Sequence, residues 1–314
     1  MENEKINKLK KYKIGVLAGG SSSEREISLK SGRAVKTALS GMGLNVIFIN
    51  VGEKKSFKKT IDLADINIAF IALHGKFGED GTVQKLLAAQ NIIYTGSGPE
   101  ASCLALDKKA AKEKFEANGI KVAKHWNVSG GDNVVDRDIT FPCVVKPRFE
   151  GSSIGLSLVF RPEDLEDALS SAFEFGEEVI VEEFIDGREL TVGILGKEML
   201  PVVEIIAESG TYDFNAKYTA GSTEYIVPAK LKTSEYRKVQ LEGLKAHRAL
   251  GCGGFSRVDM MLSGSGELFI LEVNTIPGMT ERSLLPMAAK QAGLDFNQLC
   301  VKMLLEAISA DNRK

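Results

Sequence analysis

The chain has 314 residues, of which 44% are hydrophobic and 26% are charged, and its formal net charge is −2. This composition is typical of an ordinary globular protein, and the length allows two or three domains. The near-neutral charge argues against bulk binding to nucleic acid or to an anionic membrane. Any phosphate ligand must therefore be held by local groups.

The four cysteines are widely spaced and form no CxxC pair, which argues against a metal knuckle. Each lies in an apolar context, so we expect buried free thiols in a reducing compartment. The Lys-rich residues 1–13 lack the apolar run of a signal peptide, and the sequence contains no stretch long and apolar enough to span a membrane. We expect this leading segment to be a frayed extension, with a short helix as the alternative. The cysteines are Cys103, Cys143, Cys252 and Cys300.

The first hundred residues alternate between strand-like and helix-like patterns, which predicts a small doubly wound parallel domain. Ser23 and Glu26 have the spacing of a capping box and place Glu24 in the first turn of a helix. The run 66–73 is nearly all apolar, as in a strand buried on both faces. The predicted strands are 13–18, 45–50 and 66–73, and the predicted helices begin at 21–26 and cover 80–90.

The pattern changes after a single long helix predicted over 101–118, which Gly119 would cap. The following strands and helix predict a small α+β unit, and a third unit begins near residue 190. The polar stretch 208–222 is a candidate mobile loop. The predicted strands of the second unit are 141–147, 154–160 and 178–185, and its helix is 163–173.

A hairpin is predicted from the strand-like runs 255–262 and 267–274, which Ser and Gly residues join. A turn centred between Gly264 and Ser265 would place Asp259 opposite Ile270 and Arg257 opposite Glu272. One face of the hairpin is then wholly apolar, and it consists of Val258, Met260, Leu262, Phe269, Leu271 and Val273.

The opposite face of this hairpin carries Arg257, Asp259, Glu272 and Asn274. In the predicted register Asp259 and Glu272 are diagonal neighbours, roughly 7–8 Å apart. Two carboxylates and an amide oxygen are hard ligands suited to Mg²⁺ with bound nucleotide phosphates. A solvated strand face with incidental charges is the alternative, and a β-bulge would break the register.

A loop rich in Gly and Ser, residues 149–155, joins two predicted strands and can bring backbone N–H groups close to phosphates. Such a loop is more often only a turn, and it is not a Walker A loop. Lys146 precedes it, and Lys108 lies on a predicted helix with Lys109 and Lys112. A solvated lysine face is the simpler interpretation of that helix.

Taken together, these segments resemble the D-alanine–D-alanine ligases of the ATP-grasp superfamily, from about Lys13 to the end of the chain. The matching stretches are LAGGSSSEREISL, ALHGKFGEDG, YTGSG, LDKKAAK, VVKPRFEGSSIG, NAKY, RVDMML and LEVNTIPGMTERSLLPMAA. The resemblance implies a mixed α/β and α+β, three-domain ATP-grasp architecture with an N-terminal Rossmann-like parallel-sheet domain. The implied domains are 1–105, 106–189 and 190–314.

The resemblance also implies a reaction, in which ATP drives the joining of two D-alanines through a D-alanyl phosphate for peptidoglycan synthesis. It places ATP between the central and C-terminal domains, with two Mg²⁺ or Mn²⁺ ions on Asp259, Glu272 and Asn274. Lys108, Lys146 and Gly151 to Ser153 would contact the phosphates. Adenine and ribose would be held by Glu182, Glu183, Phe184, Ile185 and Glu189.

For the amino acids, the resemblance places Glu24 on the ammonium of the first D-alanine, with His74 nearby. Arg257 and the Gly278 N–H would form an oxyanion hole. A hydrogen-bonded chain of Glu24, Ser152 and Tyr218 would fasten the 208–222 loop over the site. The carboxylate of the second D-alanine would be held by Ser283, the Leu284 N–H and Lys217.

The family pattern further implies a cytoplasmic homodimer that associates through its first domain, without nucleic acid or membrane partners. Tyr218 favours an amino acid acceptor over a hydroxy acid. Ile276 and the pair Glu281-Arg282 depart slightly from the motif, and we expect these changes to be neutral. Another carboxylate–amine ligase, a carboxylase and a nonenzymatic nucleotide-binding module are the alternatives. The lack of a G-x-G-x-x-G fingerprint argues against a dehydrogenase.

Overall fold

The computed structural model describes residues 2–52, 54–130, 138–207 and 223–311. Its first sheet is parallel, with the strand order β2-β1-β3-β4, and it confirms the doubly wound arrangement predicted for this region. The central strand β1 is buried along its whole length because it has a neighbour on each side. The strands are β1 Ile14–Gly19, β2 Val46–Val51, β3 Ile68–Ile71 and β4 Ile93–Tyr94.

The helices of this region flank the first sheet. The leading segment, predicted to be frayed, is helical over Glu2–Leu9, and Leu9 is fully buried in the core. The predicted capping box is wrong, because Glu24 occupies the N-cap position and no side chain caps the helix there. The sequence patterns also missed the helix at Lys54–Ala64. The helices are α1 Glu2–Leu9, α2 Arg25–Gly41, α3 Lys54–Ala64 and α4 Thr82–Ala88.

The single helix predicted over 101–118 is two helices, α5 Pro99–Leu106 and α6 Lys108–Ala117. Asp107 separates them with an extended backbone, and its carboxylate accepts a hydrogen bond from the Ala110 N–H at 3.1 Å. Asp is a preferred N-cap because its oxygen satisfies an amide that has no partner within the helix. The break changes the direction of the chain, so that Lys108, the first residue of α6, can reach the cavities described below.

The second sheet is antiparallel, with the order β5-β8-β6-β7. A short 3-10 turn, Pro162–Asp164, leads into helix α7, Leu165–Phe173, which packs on one face of the sheet. The strand predicted over 154–160 is confined to its C-terminal part, because the preceding residues belong to the Gly/Ser loop. The strands are β5 His125–Ser129, β6 Cys143–Pro147, β7 Ser157–Val159 and β8 Glu178–Glu183.

The third sheet is also antiparallel, with the order β12-β11-β9-β13-β14, and β10 pairs with β9. Helix α8, Thr233–Ala249, covers one face, and helices α9, Leu284–Gln291, and α10, Phe296–Asp311, follow the sheet. The strands are β9 Gly187–Leu195, β10 Glu198–Met199, β11 Val203–Ala207, β12 Thr223–Ile226, β13 Phe255–Ser263 and β14 Leu268–Asn274.

The hydrophobic cores of the three sheets differ in how far they are shared with other parts of the chain. The second sheet and α7 enclose a core of their own. Side chains of α9 and α10, by contrast, share one apolar cluster with the first sheet and α2, so the end of the chain packs against its beginning. The division into 1–105, 106–189 and 190–314 stays a prediction.

The hairpin β13–β14 differs from its predicted register. Asp259 lies directly opposite Glu272 and Arg257 lies opposite Asn274, and a β-bulge follows before Met260 pairs with Ile270. The loop also differs from a two-residue turn, because the Ser263 N–H donates to the Glu267 carbonyl at 2.9 Å. Gly266 has a φ of 81°, the left-handed conformation that such a longer hairpin loop needs.

Because of the bulge, the apolar face of the hairpin differs from the predicted one. Leu268 and Ile270, rather than Phe269 and Leu271, share one apolar cluster with Val258, Met260, Leu262 and Val273. Phe269 is also buried, but outside this cluster. Leu271 is the unpaired residue of the bulge, and it lines a cavity together with Glu272. Bulges re-aim side chains in this way near functional sites. Here the bulge brings Asp259 and Glu272 into direct cross-strand contact range, closer than predicted.

Two smaller expectations concern the cysteines and a membrane span. Cys143 and Cys300 are buried free thiols as predicted, and Cys252 is half-buried. Cys103, within α5, is exposed, so the prediction of a buried thiol is wrong for this residue. No helix in the described ranges combines the length and the apolar character that crossing a membrane requires.

Candidate functional site

Two neighbouring cavities lie where the three sheets meet. The first, about 320 Å³, lies between the first sheet and the start of α9, and the second, about 210 Å³, lies between the second and third sheets. They share a wall formed by Lys108, Glu150, Gly151 and Glu272. A group bound in one cavity can therefore meet a group bound in the other at this wall.

The first cavity gathers nearly all of the described residues that the resemblance assigns to the amino acids. It is lined by Glu24, His74, Ser152, Arg257, Gly278, Ser283 and Leu284, together with Asn274 and Glu272. These residues come from the beginning, middle and end of the chain. Lys217 and Tyr218 lie outside the described residues, as does the whole of the predicted 208–222 loop.

Glu24 is buried at the start of α2 and accepts a hydrogen bond from the Ser152 hydroxyl. This contact joins the first sheet to the Gly/Ser loop, and it is the first link of the predicted Glu24–Ser152–Tyr218 chain. Ser152 and Ser153 have φ values of 49° and 58°, a strained region for residues other than glycine. Such strain, about 1–3 kcal/mol for each residue, persists only where surrounding contacts hold it.

His74 is buried beside Glu24 and faces a carboxylate that the sequence patterns did not single out. Its Nδ1 lies 3.7 Å from Glu79 Oε1, and its Nε2 lies 3.3 Å from the Ser31 hydroxyl. Burial by itself lowers the pKa of His74, but the hydrogen bond and charge of Glu79 outweigh it and raise that pKa. The HGKFGED stretch, which holds both residues at the end of a strand, was the available signal for Glu79.

The start of α9 forms the far end of the first cavity. Ser283 is the N-cap residue of this helix, and its hydroxyl oxygen accepts from the Thr280 N–H at 3.1 Å. The helix N-terminus carries unsatisfied amides, beginning with Leu284, and a partial positive charge that together suit a carboxylate. The Gly278 backbone passes so close that an added Cβ would lie 2.8 Å from Ser283 Oγ.

The second cavity gathers the described residues assigned to ATP. Apolar side chains such as Leu156, Met261 and Leu271 form a slot that suits a flat base. Charged groups stand at its ends, and the residue that the bulge exposes, Leu271, belongs to the apolar wall. The assigned residues that line the cavity are Lys108, Lys146, Gly151, Ser153, Glu182, Glu183, Phe184, Ile185 and Glu189.

Glu182 is only 2% exposed and carries one oxygen between two ammonium groups. Its Oε1 lies 2.8 Å from Lys146 Nζ and 3.2 Å from Lys112 Nζ. Burial alone raises the pKa of Glu182, but Lys112 and Lys146 outweigh it and lower that pKa to about 2. Both ammonium groups approach the same buried oxygen, so the two positive charges are concentrated at one end of the carboxylate.

The lysines of α6 do not form a solvated face, contrary to the simpler interpretation of the sequence. Lys112 is fully buried, and Lys108 is half-buried with its ammonium group donating to the Glu150 carbonyl. Burial lowers the pKa of Lys108 to about 8. Lys109, on the outer side, pairs with Glu113 at 3.6 Å. The i, i+4 spacing of Lys108 and Lys112 was the signal that they share a face.

Asp259, on β13, is held by two neighbours. Arg257 donates from Nε to Oδ1 at 2.9 Å and from Nη2 to Oδ2 at 2.6 Å, and the Thr191 hydroxyl donates to Oδ1 at 2.6 Å. Glu272 lies directly opposite on β14. Asn274 Oδ1 accepts from the Ile276 N–H at 2.9 Å. Two carboxylates and an amide oxygen on one hairpin face form a donor set that fits Mg²⁺.

Comparison with known proteins decides the family. The D-ala D-ala ligase C-terminus pattern matches residues 116–305 and the N-terminus pattern matches 51–97. A D-alanine–D-alanine ligase from Geobacter sulfurreducens is 47% identical over 304 residues, covering 96% of each chain. The chain belongs to the D-alanine–D-alanine ligase family. This result confirms the resemblance and the enzyme class, an ATP-dependent ligase.

Solved structures agree in fold. A D-alanine–D-alanine ligase from Bacillus anthracis complexed with ATP has a TM-score of 0.84 at 30% identity, covering 96% of this chain and 98% of its own. The VanG D-Ala:D-Ser ligase from Enterococcus faecalis has a TM-score of 0.80 at 31% identity, covering 94% and 98%. The predicted ATP-grasp architecture is thereby confirmed.

Proposed function

We propose that this chain joins two D-alanines into D-alanyl-D-alanine at the expense of ATP, through a D-alanyl phosphate. The observation that carries this proposal is the wall shared by the two cavities, at Lys108, Glu150, Gly151 and Glu272. A nucleotide in the second cavity and a carboxylate in the first would meet there. In-line phosphoryl transfer needs this kind of positioning more than it needs covalent help from the protein.

The nucleotide would lie with its base in the apolar slot and its phosphates toward the shared wall. Lys108 and Lys146 would neutralise phosphate charge, and the backbone of Gly151 to Ser153 would cover the phosphates. Glu182 would accept from the exocyclic amino group of adenine, next to the backbone of Glu183, Phe184 and Ile185. Glu189 would hold the ribose.

Asp259, Glu272 and Asn274 would hold two Mg²⁺ or Mn²⁺ ions. Such ions would supply positive charge that neutralises the charge developing during phosphoryl transfer. The donor set supports this assignment, because hard oxygen ligands face one another across the hairpin. Thr191 and Arg257 would keep the Asp259 carboxylate oriented through their hydrogen bonds.

The first D-alanine would place its ammonium group at Glu24, beside His74, and its carboxylate toward the shared wall. The second D-alanine would place its carboxylate at the start of α9, on Ser283 and the Leu284 N–H. Its amine would attack the acyl phosphate carbonyl, and the oxyanion would be stabilised by Arg257 and the Gly278 N–H. Phosphate then leaves with the oxygen that came from the first D-alanine.

Acyl phosphates hydrolyse, so water has to be excluded during the reaction. We assign this task to the 208–222 loop, through Tyr218 and its hydrogen-bonded chain to Ser152 and Glu24. Lys217 would join the acceptor site. Tyr218 also favours an amino acid acceptor over a hydroxy acid, and D-alanine is the acceptor proposed here.

The test is phosphate release from Mg-ATP with D-alanine, with L-alanine, and with D-alanine plus D-lactate, with products identified by mass. We expect D-alanyl-D-alanine from D-alanine alone and no depsipeptide with D-lactate. A different product would contradict the acceptor assignment. Absence of any D-alanine-dependent phosphate release would contradict the proposal and favour a binding module.

We further propose that the chain works in the cytoplasm as a homodimer that associates through its first domain. Free thiols among the described cysteines support the reducing compartment. Light scattering coupled to size-exclusion chromatography should give twice the 34.0 kDa chain mass. A mass of one chain at micromolar concentration would contradict the dimer.

A further inference from the structure

Three buried charged side chains lie together at the second cavity, two of them in its lining. They are Lys112, Glu182 and Lys146, with 1%, 2% and 9% of their surface exposed. Both ammonium groups contact the same oxygen, Glu182 Oε1, at 3.2 Å and 2.8 Å. Buried charges are costly unless they are paired, so three of them in one place call for a reason.

The two lysines reach Glu182 from different sides. Lys146 lies near the end of β6 and lines the second cavity, where a phosphate can attract it. Lys112 extends from α6 and, among the described residues, stands outside the cavity lining. Within the described ranges, the ammonium group of Lys112 forms its ion pair with Glu182. Lys112 is therefore a fixed partner, whereas Lys146 has a second task.

This difference matters when a nucleotide binds. If Lys146 turns toward the phosphates, Glu182 loses one of its two cations. A buried carboxylate without a cation takes up a proton or becomes strongly destabilising. Lys112 would prevent this, because its ammonium group lies 3.2 Å from Glu182 and is not part of the lining of the second cavity.

The charge state of Glu182 decides which base it accepts. An ionised carboxylate is an acceptor only, so it binds the 6-amino group of adenine and repels the 6-oxo group of hypoxanthine. A protonated carboxyl can donate to that 6-oxo group. Sites built on hydrogen-bond complementarity reject the wrong group strongly, because mismatched buried polar atoms stay unpaired.

We propose that Lys112 is a positioning residue for nucleotide selectivity, which keeps Glu182 ionised and thereby makes the cavity select 6-amino over 6-oxo purine nucleotides. This inference rests on the proposed binding of ATP in the second cavity. Lys112 touches neither substrate, and it acts through Glu182.

The test is equilibrium binding of ADP and of IDP by isothermal titration calorimetry, without D-alanine, to Lys112→Met. Methionine keeps the length of the apolar stem and removes the charge. We expect a loss of ADP affinity of at least tenfold and a fall of at least tenfold in the ratio of ADP to IDP affinity. Lys109→Met is the matched control, since that neighbouring ammonium group is exposed and pairs with Glu113, and it should leave both affinities unchanged.

Two further variants separate selectivity from folding. Lys112→Arg keeps the charge and should keep the wild-type ratio. In a Glu182→Gln background, adding Lys112→Met should not change the ratio again, because position 182 then carries no charge for Lys112 to maintain.

Equal weakening of ADP and IDP in Lys112→Met, or a further change of the ratio in the Glu182→Gln background, would overturn the role of Lys112. Failure of the wild-type chain to bind ADP would instead overturn the proposed nucleotide site itself.

Discussion

Arg148 directly precedes the Gly/Ser loop, and its side chain connects the start of this loop to the break between α5 and α6. Its Nε and Nη2 donate to the two oxygens of Asp107 at 2.6 and 2.5 Å, and its Nη1 donates to Glu178 Oε1 at 2.7 Å. The Arg148 carbonyl accepts from the Lys108 N–H at 3.3 Å. Replacing Arg148 with Met would remove the hydrogen bonds of the guanidinium group but keep most of the apolar part of the side chain.

The expected cost follows from burial. Arg148 and Asp107 side chains are 16% and 15% exposed, whereas Glu178 is 43% exposed and contributes little. A charge-assisted bidentate pair in a largely buried position is worth about 2–3 kcal/mol. For a chain of 314 residues, we expect the midpoint of thermal unfolding to fall by about 3–5 °C.

Arg161→Met is the matched control, because Arg161 makes the same bidentate contact with Asp164 at 2.9 and 3.0 Å. That pair is 65% and 47% exposed, so its loss should cost well under about 1 kcal/mol. Differential scanning calorimetry of both variants gives the comparison, and ADP titration shows whether loosening the loop root also weakens nucleotide binding. Equal midpoints for the two variants would refute the argument from burial.

The pKa of Asp107 also determines how the stabilisation by the Arg148–Asp107 pair changes with pH. Burial raises the pKa of Asp107, but the Arg148 guanidinium and the Ala110 N–H outweigh it and lower that pKa. A carboxyl whose pKa is lowered by folding contributes stability above its unfolded pKa, about 3.9, and loses it as the pH falls through the folded value. The difference between wild type and Arg148→Met should therefore be constant from pH 6 to pH 8. A difference that shrinks within that interval would contradict the assigned pair.

Three further predictions follow from single contacts. Gly278→Ala places a Cβ 2.8 Å from Ser283 Oγ, so the KM for the acceptor D-alanine should rise while ADP affinity stays unchanged; an unchanged KM would count against the acceptor position. Thr191→Val removes the 2.6 Å hydrogen bond to Asp259, and Mg²⁺ titrated against the ADP complex should bind about 10–100-fold more weakly, whereas equal affinity would contradict the role of Thr191 in orienting that carboxylate. Burial lowers the pKa of Lys108 to about 8, so ADP affinity should fall as the pH rises through 8, and ADP binding should then be accompanied by proton uptake. Lys108→Arg should flatten this dependence of ADP affinity on pH. An equally steep dependence in that variant would assign it to another group.

Much of the site could be predicted from sequence because residue types and their order along the chain suffice for it. Arg257, Asp259, Glu272 and Asn274 were identified from strand alternation, and they lie on one face as expected. Their pairing could not be predicted, since it depends on the bulge at Leu271, which no local pattern marks. Alternation alone cannot reveal an inserted residue.

Burial of charged groups was harder to predict than their presence. Lys112 has the local sequence of a surface lysine, and only the packing of α6 against Glu182 turns it inward. Glu79 was missed for the same reason, because His74 becomes its partner through the turn after β3. The break at Asp107 is likewise a tertiary effect, in which Arg148 and the capped amide outweigh the helical propensity of the flanking residues.

The central claim is that a carboxylate in the first cavity attacks a phosphoryl group held in the second. Turnover of D-alanine labelled with ¹⁸O in both carboxylate oxygens tests this claim most directly, with the released phosphate analysed by mass spectrometry. Acyl phosphate formation predicts one ¹⁸O atom in each phosphate and one dipeptide for each phosphate. Unlabelled phosphate accompanying the dipeptide would contradict the claim, because the oxygen would then have come from water.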